Sequence, residues 1–435
     1  MRPNVILIIA DALRRDAVPV YGEGVVGGSF WNEMATEGVV FEDAFAHASK
    51  TFPAIPSLLT SRVLFWRGES RGEGYRDLVI DRENLMLAEV LQEAGYETAA
   101  IVTNPHQFEG SGWEQGFRHY RFLAPREADP PYARASEVNT AFLDWLDDHP
   151  DQRPFFAYLH YMDPHNPYWA PPAYRDRFVT TAGRRGIYQN GPPDADPPLS
   201  DADLAHLKER YRAETRYLDD QLSDLRAQLI ERGIWQQSVI MFTSDHGDEF
   251  MEHGMLGHGK SLNFAALRVP LLFAGGGMGR VGDRGRRVAD LVRHVDVAPT
   301  ILEAAGVATP SDFEGRSLLA LLSRDAQPFE AEPSLARTGN LISVTTRDWH
   351  GVWQLGEWKT WFFDRRADPD ALSRLDSVSP AVRKPLRQEV SSLLEQQGIA
   401  REELVRRRKA RKDHAKPLGP PVQIREQLRA LGYAE

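Results

Sequence analysis

Residues 4–16 read NVILIIADALRRD. The run from Val5 to Ala10 is apolar at every position and mostly β-branched, so it has no polar face to turn to water. A strand buried on both sides has this pattern, as in a parallel sheet covered by helices. It stops abruptly at Asp11. Similar short runs recur at Thr98–Thr103, Phe155–His160, Ser238–Thr243 and Pro270–Ala274. Between them, Asn84–Ala94, Ser136–Leu146 and Asp201–Arg232 carry apolar residues at helical spacing. The first stops at Gly95 and the last at Gly233, both suited to helix C-caps. Strands alternating with helices predict an α/β fold with a large, mostly parallel central sheet and helices on both faces.

Farther out, the Tyr188–Pro198 stretch (YQNGPPDADPP) has the composition of an exposed loop, and DAQPFEAEP near Asp325–Pro333 reads as a linker. Beyond it, Leu341–Thr346, Gly351–Leu355 and Lys359–Phe363 are three short β-type runs with tight connections, followed by helical patterns. We therefore expect a large domain over 1–330 and a smaller C-terminal α+β subdomain over 331–435. Arg401–Lys412 holds seven Lys/Arg and reads as a solvated helix.

The chain has 435 residues, 52 Lys+Arg against 62 Asp+Glu, and no cysteine. That removes disulfides, thiolate metal sites and a cysteine nucleophile together. The net charge of −10 argues against nonspecific nucleic-acid binding, which needs a positive face. An anionic small substrate remains compatible, because a bound metal ion reverses the local field. No apolar run reaches the roughly 18 residues that span a bilayer, and Val5–Ala10 is too short for a signal-peptide core. A cytoplasmic location is the expectation; nothing bears on oligomeric state.

In open α/β sheets, ligands gather beyond the carboxyl ends of the strands. Asp11 follows the first run, Asp245 and His246 follow Ser238–Thr243, and Asp163 and His165 follow Phe155–His160. Two aspartates and a histidine make a divalent site suited to Mg, Mn, Ca or Zn. Singly, each has a plainer reading: Asp11 could cap the next helix, DHG could be a polar turn, and His165 could bond its own backbone. A nucleophile candidate is Thr51, in AHASKTFPAIPSLLTSR (46–62), placed near a helix N-terminus that favours an anion. Its alternative is again a helix cap.

The segments NVILIIADALRRDAVPVYG, TFPAIPSLLTSR, TSDHGDEFMEHG, LGHGKSLNFAALRVPLLF and HVDVAPTILEAAGV, in this order and spacing, resemble the sulfatase branch of the alkaline-phosphatase superfamily. The resemblance covers about residues 3–323, with FFDRRADP at 362–369 similar to the branch's C-terminal subdomain. It implies an αβα sandwich. By position it implies Asp11, Asp245 and His246 as metal ligands, Thr51 as both nucleophile and ligand, and His165 as the histidine at the anion or leaving group. His258, twelve residues after His246, falls where many sulfatases carry a substrate lysine. Lys260 and Lys50 stand beside these motifs, so His258, Lys50 and Lys260 are the expected substrate-binding groups.

Two departures matter. Sulfatases make a formylglycine from Cys or Ser in a Cys/Ser-x-Pro-x-Arg signature, whereas this chain has Thr51 in that slot and Ile55 at the arginine position. The usual aspartate doublet is broken by Ala12. Thr51 is similar instead to the metal-bound threonine of phosphoryl-handling relatives. The expected function is thus metal-dependent hydrolysis of phosphate mono- or diesters through Thr51. The alternatives are sulfate-ester hydrolysis, phosphoryl transfer to an alcohol, or metal binding without turnover. One metal site is expected, and a second could be built from Asp163, His165 and His258.

Overall fold

The computed structural model describes residues 2–22, 29–63, 80, 82–124, 130–148, 153–183, 199–277, 283–323, 330–356 and 359–396. The Tyr188–Pro198 loop and the basic run Arg401–Lys412 lie outside them. The first half contains β1 (Asn4–Ala10), α1 (Ser29–Glu37), β2 (Val39–Phe45), α2 (Thr51–Thr60), α3 (Leu87–Glu93), β3 (Glu97–Val102), β4 (His119–Phe122), α4 (Ala135–Asp147) and β5 (Phe155–Tyr161). Then come α5 (Pro172–Phe178), α6 (Asp201–Glu231), β6 (Ser238–Ser244), β7 (Glu249–Phe250), β8 (Leu256–Gly257), α7 (Phe264–Leu267), β9 (Arg268–Ala274), β10 (Arg286–Arg293) and α8 (Val297–Ala304). The last part holds β11 (Ser334–Thr338), β12 (Leu341–Thr345), β13 (Trp349–Gln354), β14 (Lys359–Asp364) and α9 (Pro380–Gln396).

Eight strands form the main sheet in the order β10-β2-β9-β6-β1-β5-β3-β4. β1 sits inside it, paired in parallel with β5 on one side and β6 on the other. That position explains its unbroken apolar sequence. Val5, Leu7 and Ile9 enter the core on one face, packed by α2, α3 and α8. Ile6, Ile8 and Ala10 enter the core on the other, packed by α1, α4 and α6. The fold is therefore an αβα sandwich with a mostly parallel sheet, β9 running antiparallel to both of its neighbours.

β9 carries Pro270, which has no N–H to give to a ladder. The register between β2 and β9 shifts there: Phe41 pairs with Leu271 and Ala44 with Val269, so β2 holds an extra residue opposite the proline. The Tyr21 hydroxyl fills the gap, bonding both the N–H and the carbonyl of Leu271 at 3.0 Å. Pro270 in turn gives its carbonyl to the Thr243 hydroxyl at 2.7 Å. The bulge places Asp43 where Arg268 and Arg365 converge on it.

The C-terminal sheet is antiparallel in the order β11-β12-β13-β14. It has four strands rather than the three expected, because β11 begins directly after the segment read as a linker. Its Ile342, Val344, Trp353 and Phe362 pack on Leu386, Val390, Leu393 and Leu394 of α9. Arg365, just past β14, reaches Asp43 of the main sheet with two bonds of 2.7 and 2.6 Å. Asp43→Ala strands two guanidinium groups at this junction. Loss of about 3–5 kcal/mol of unfolding free energy is expected in a urea titration, the scale for breaking a buried ion pair.

Candidate active site

Side chains alternate along a strand, so a residue two positions past a strand's core-facing residue emerges on the same face. Asp11 follows Ile9 in this way, Asn104 follows Val102, and His160 follows Tyr158. Asp245 continues the set of Val239, Met241 and Thr243. These four residues come from β6, β1, β5 and β3, which are successive neighbours in the sheet about 4.8 Å apart. The same face is covered by α2, whose Ile55, Leu58 and Leu59 enter that core and whose first residue is Thr51. Five polar groups therefore converge because of strand order and period, not because of nearness in sequence.

The Thr51 hydroxyl donates to Asp11 Oδ2 at 3.3 Å and receives Asn104 Nδ2 at 3.4 Å. Asn104 Nδ2 also donates to Asp11 Oδ2 at 2.7 Å. Asp245 Oδ1 accepts the backbone N–H groups of Ala12 and His246, at 3.0 and 2.8 Å. The turn past Asp11 bends through Ala12 at φ 58°, and the Tyr211 hydroxyl of α6 clamps it by bonding Ala12 O and Arg14 N–H. The inner atoms Asp11 Oδ1, Asp245 Oδ2, His246 Nε2 and both ring nitrogens of His160 are buried with no hydrogen-bond partner among the described residues. His246 Nε2 lies 3.7 Å from Asp11 Oδ1 and 3.4 Å from Asp245 Oδ2. Its Nδ1 faces the carbonyl of Gly247 at 3.1 Å, which puts the ring hydrogen there and an acceptor lone pair on Nε2.

Ligand atoms of Asp11, His160 and Asp245 all lie within 4.8 Å of one another. Burial, reinforced by the neighbouring Asp245 charge, drives the Asp11 carboxyl well above its ordinary range, and burial carries Asp245 up to about 6. Burial also makes the imidazoles poor bases: His160 and His165 fall to about 3, and His246 drops well below its usual value. Orphaned carboxylate oxygens beside neutral imidazole nitrogens are the donor set of a divalent cation, whose charge would relieve the carboxylate repulsion. The residues present fit such an ion.

The structure brings the predicted Asp11, Thr51, Asp245 and His246 into this centre. Asp11 caps nothing: the next helical turn, Arg15–Ala17, begins at Arg14. Nor does Thr51 cap α2, since Lys50 holds that position and the Thr51 hydroxyl turns to Asp11. His165 and His258 stand at the rim with ring centroids 5.0 Å apart, and His258 lies 4.4 Å from His246. His165 Nδ1 bonds the carbonyl of Asn166 at 2.7 Å. Lys50 is exposed and near enough to His106 to weaken its basicity, after burial; Lys260 is also exposed.

One expected grouping does not form. Asp163 turns away from His165, accepting the N–H of Ala135 at the start of α4 and meeting Glu214 of α6. The positive end of α4 and that amide draw its carboxylate off the rim. A second ion held by Asp163, His165 and His258 is therefore not assembled. Sequence reasoning missed Asn104 and His160. Asn104 follows the Thr98–Thr103 run as directly as Asp11 follows β1, and His160 closes the alternation of Phe156 and Tyr158.

Comparison with known proteins agrees in extent. A model described as Sulfatase matches residues 3–307, and one described as N-sulphoglucosamine sulphohydrolase, C-terminal, matches 252–397. An arylsulfatase of Clostridium perfringens is 23% identical over 443 residues, covering 86% of this chain and 90% of that protein. A phosphonate monoester hydrolase of Agrobacterium radiobacter superposes with a TM-score of 0.73 at 21% identity, covering 91% of this chain and 96% of its own. A structure in complex with its substrate D-glucosamine-2-N,6-O-disulfate also gives 0.73, at 18% identity, with 91% and 98% covered. These two solved structures share the fold.

Asp11→Asn separates the two consequences of this centre. It removes one of two buried like charges, so the chelator-treated protein is expected to unfold at a higher temperature than wild type. It also removes a ligand, so calorimetric titration with Mn or Zn should show affinity weakened about tenfold or more.

Proposed function

The chain belongs to the sulfatase family, and from that premise we propose that it hydrolyses a phosphate mono- or diester with the Thr51 hydroxyl as nucleophile. The observation that carries this reading is the placement of that hydroxyl on Asp11 Oδ2, 3.3 Å away, inside the carboxylate–imidazole cluster. The slot holds threonine in a chain without cysteine, so the formylglycine of sulfatases is not its chemistry. A divalent ion held by Asp11, Asp245, His246 and His160, with Thr51 beside them, would supply Lewis-acid charge compensation and lower the hydroxyl's pKa.

The chain's own groups then have distinct parts. Asp11 Oδ2 accepts the Thr51 hydroxyl hydrogen and holds the oxygen toward the phosphorus. The Thr51 oxygen forms the new P–O bond as the bond to the leaving alcohol breaks, giving a phosphothreonine that water then cleaves. Asn104 Nδ2, already beside Thr51, donates to whichever oxygen carries charge there. His165 is neutral in the free protein, since burial lowers it to about 3. An anion beside it restores its basicity, so it takes up a proton on Nε2 as substrate enters and gives it to the leaving oxygen. Lys50 adds a positive point charge near the rim.

A sulfate monoester is the second reading, supported by the arylsulfatase among the relatives and by the sulfated sugar in the similar structure. It has the same tetrahedral shape and one negative charge fewer than a phosphate monoester dianion.

The test is turnover of aryl phosphate, bis-aryl phosphate and aryl sulfate with Mg, Mn, Ca or Zn. Preference for a phosphate ester is expected, and preference for aryl sulfate reverses the ranking. Thr51→Ala is expected to cost roughly 10³-fold or more in kcat, the scale for losing a nucleophile, while retaining metal binding in calorimetry. Turnover unchanged in Thr51→Ala would sink the nucleophile assignment.

A further inference from the structure

Asp248 lies two residues beyond His246, is fully buried, and has no part in the steps above. Its Oδ1 faces His258 Nδ1 at 2.6 Å, and its Oδ2 accepts the Tyr168 hydroxyl at 2.6 Å. An ionised carboxylate only accepts, so Nδ1 of His258 carries the hydrogen and Nε2 is the acceptor. His258 needs such a restraint. It sits between Gly257 at φ 80° and Gly259 at φ 78°, a stretch of backbone in the left-handed region that favours glycine. Its ring nevertheless stands in register with the rings of His246 and His165.

The same carboxylate joins three pieces of chain. Asp248 follows the turn after β6, and Arg14 pins that turn through the Asp248 carbonyl at 3.0 Å. Tyr168 belongs to the loop after β5 that carries His165, and Arg210 of α6 holds this loop by the carbonyls of Tyr168 and Pro167. His258 directly follows β8.

We propose that Asp248 is a positioning residue for His258: its buried carboxylate fixes the Nδ1–H tautomer and the ring plane, so that Nε2 faces the site as an acceptor for a hydrogen carried by the substrate or by the attacking water, and it ties that ring through Tyr168 to the His165 loop. The catalytic consequence rests on the ester-hydrolase reading; the tautomer does not.

Two measurements on the full-length protein keep these apart. In histidine-labelled protein, nitrogen-15 correlation spectra, with His258→Ala identifying the signal, should show His258 protonated at Nδ1 in wild type and shifted toward the Nε2–H form in Asp248→Asn. An Nε2–H wild type, or a spectrum unmoved by Asp248→Asn, overturns the proposal whatever the activity. In kinetics, Asp248→Asn and His258→Ala should each lower kcat/KM about 10–100-fold, the usual range for an orienting partner. The double variant should match the worse single within roughly twofold. Losses that multiply overturn the positioning role, because they show Asp248 acting apart from His258. Tyr168→Phe, which keeps the ring and drops one bond, should give a smaller loss of the same kind and covers the case in which Asp248→Asn does not fold. A wild type that turns over no ester would sink the hydrolase reading and leave the tautomer to be judged by the spectrum.

Discussion

Two carboxylates, Asp11 and Asp245, are held fully buried at the ends of adjacent strands, each with an inward oxygen that has no hydrogen-bond partner among the described residues. Burial opposes the ionisation of both, and the Asp245 charge adds to it at Asp11, so both are pushed toward the protonated form. A chain does not place two such groups side by side for stability, since an apolar pair would pack there at lower cost. The outer oxygens are held all the same, Asp245 Oδ1 by two backbone amides and Asp11 Oδ2 by Asn104 and Thr51. The scaffold thus fixes the carboxylates from outside and leaves on the inner side a donor set that fits a cation.

The sheet makes this affordable. β1 has both neighbours parallel to it, and the strands on either side, β5 and β6, are buried along their whole length, so the end of β1 is held from both sides. Helix α2 enters the same core through Ile55, Leu58 and Leu59, so the position of Thr51 is set by packing well away from the reacting atoms. Ala12 accepts φ 58°, which few residues other than glycine adopt readily, because its N–H and carbonyl are taken by Asp245 and Tyr211. Local strain at the turn is offset by bonds from α6 and β6, elements distant in sequence.

Where a strand is buried on both faces, its sequence announces it. β1, β5 and β6 are legible as apolar runs, and the polar residues that end β1 and β6 point to the centre. β2 is not legible, because VVFEDAF carries Glu42 and Asp43 mid-strand at the bulge opposite Pro270. β4 has four residues at one edge and β10, RRVADLVR, is broken by charged residues at the other, so neither has enough apolar sequence to stand out. His160 is hidden inside an apolar run that reads as plain strand, and Asn104 is an uncharged residue one step past such a run, without the carboxylate that marks Asp11. Asp163 shows the opposite failure: two residues from His165 in sequence, it serves a helix terminus instead of the rim, which only the path of the chain decides.

Charge counting at the centre says what the rim has to do. With Ala12 in place of a second acidic residue after β1, the cluster offers two carboxylates and neutral imidazoles. A divalent ion there leaves the group near zero charge before any anion arrives. On the proposed reading, the attraction for an ester's negative charge then falls to groups outside the cluster. Lys50 is one, carried on the extended residue before α2. His258, held on Asp248, is of another kind: with its hydrogen on Nδ1 it offers the site a lone pair, and a lone pair and a ring plane must be aimed while an ammonium has neither. An oriented ring in place of a flexible cation makes that contribution depend on geometry, which the buried Asp248 carboxylate holds.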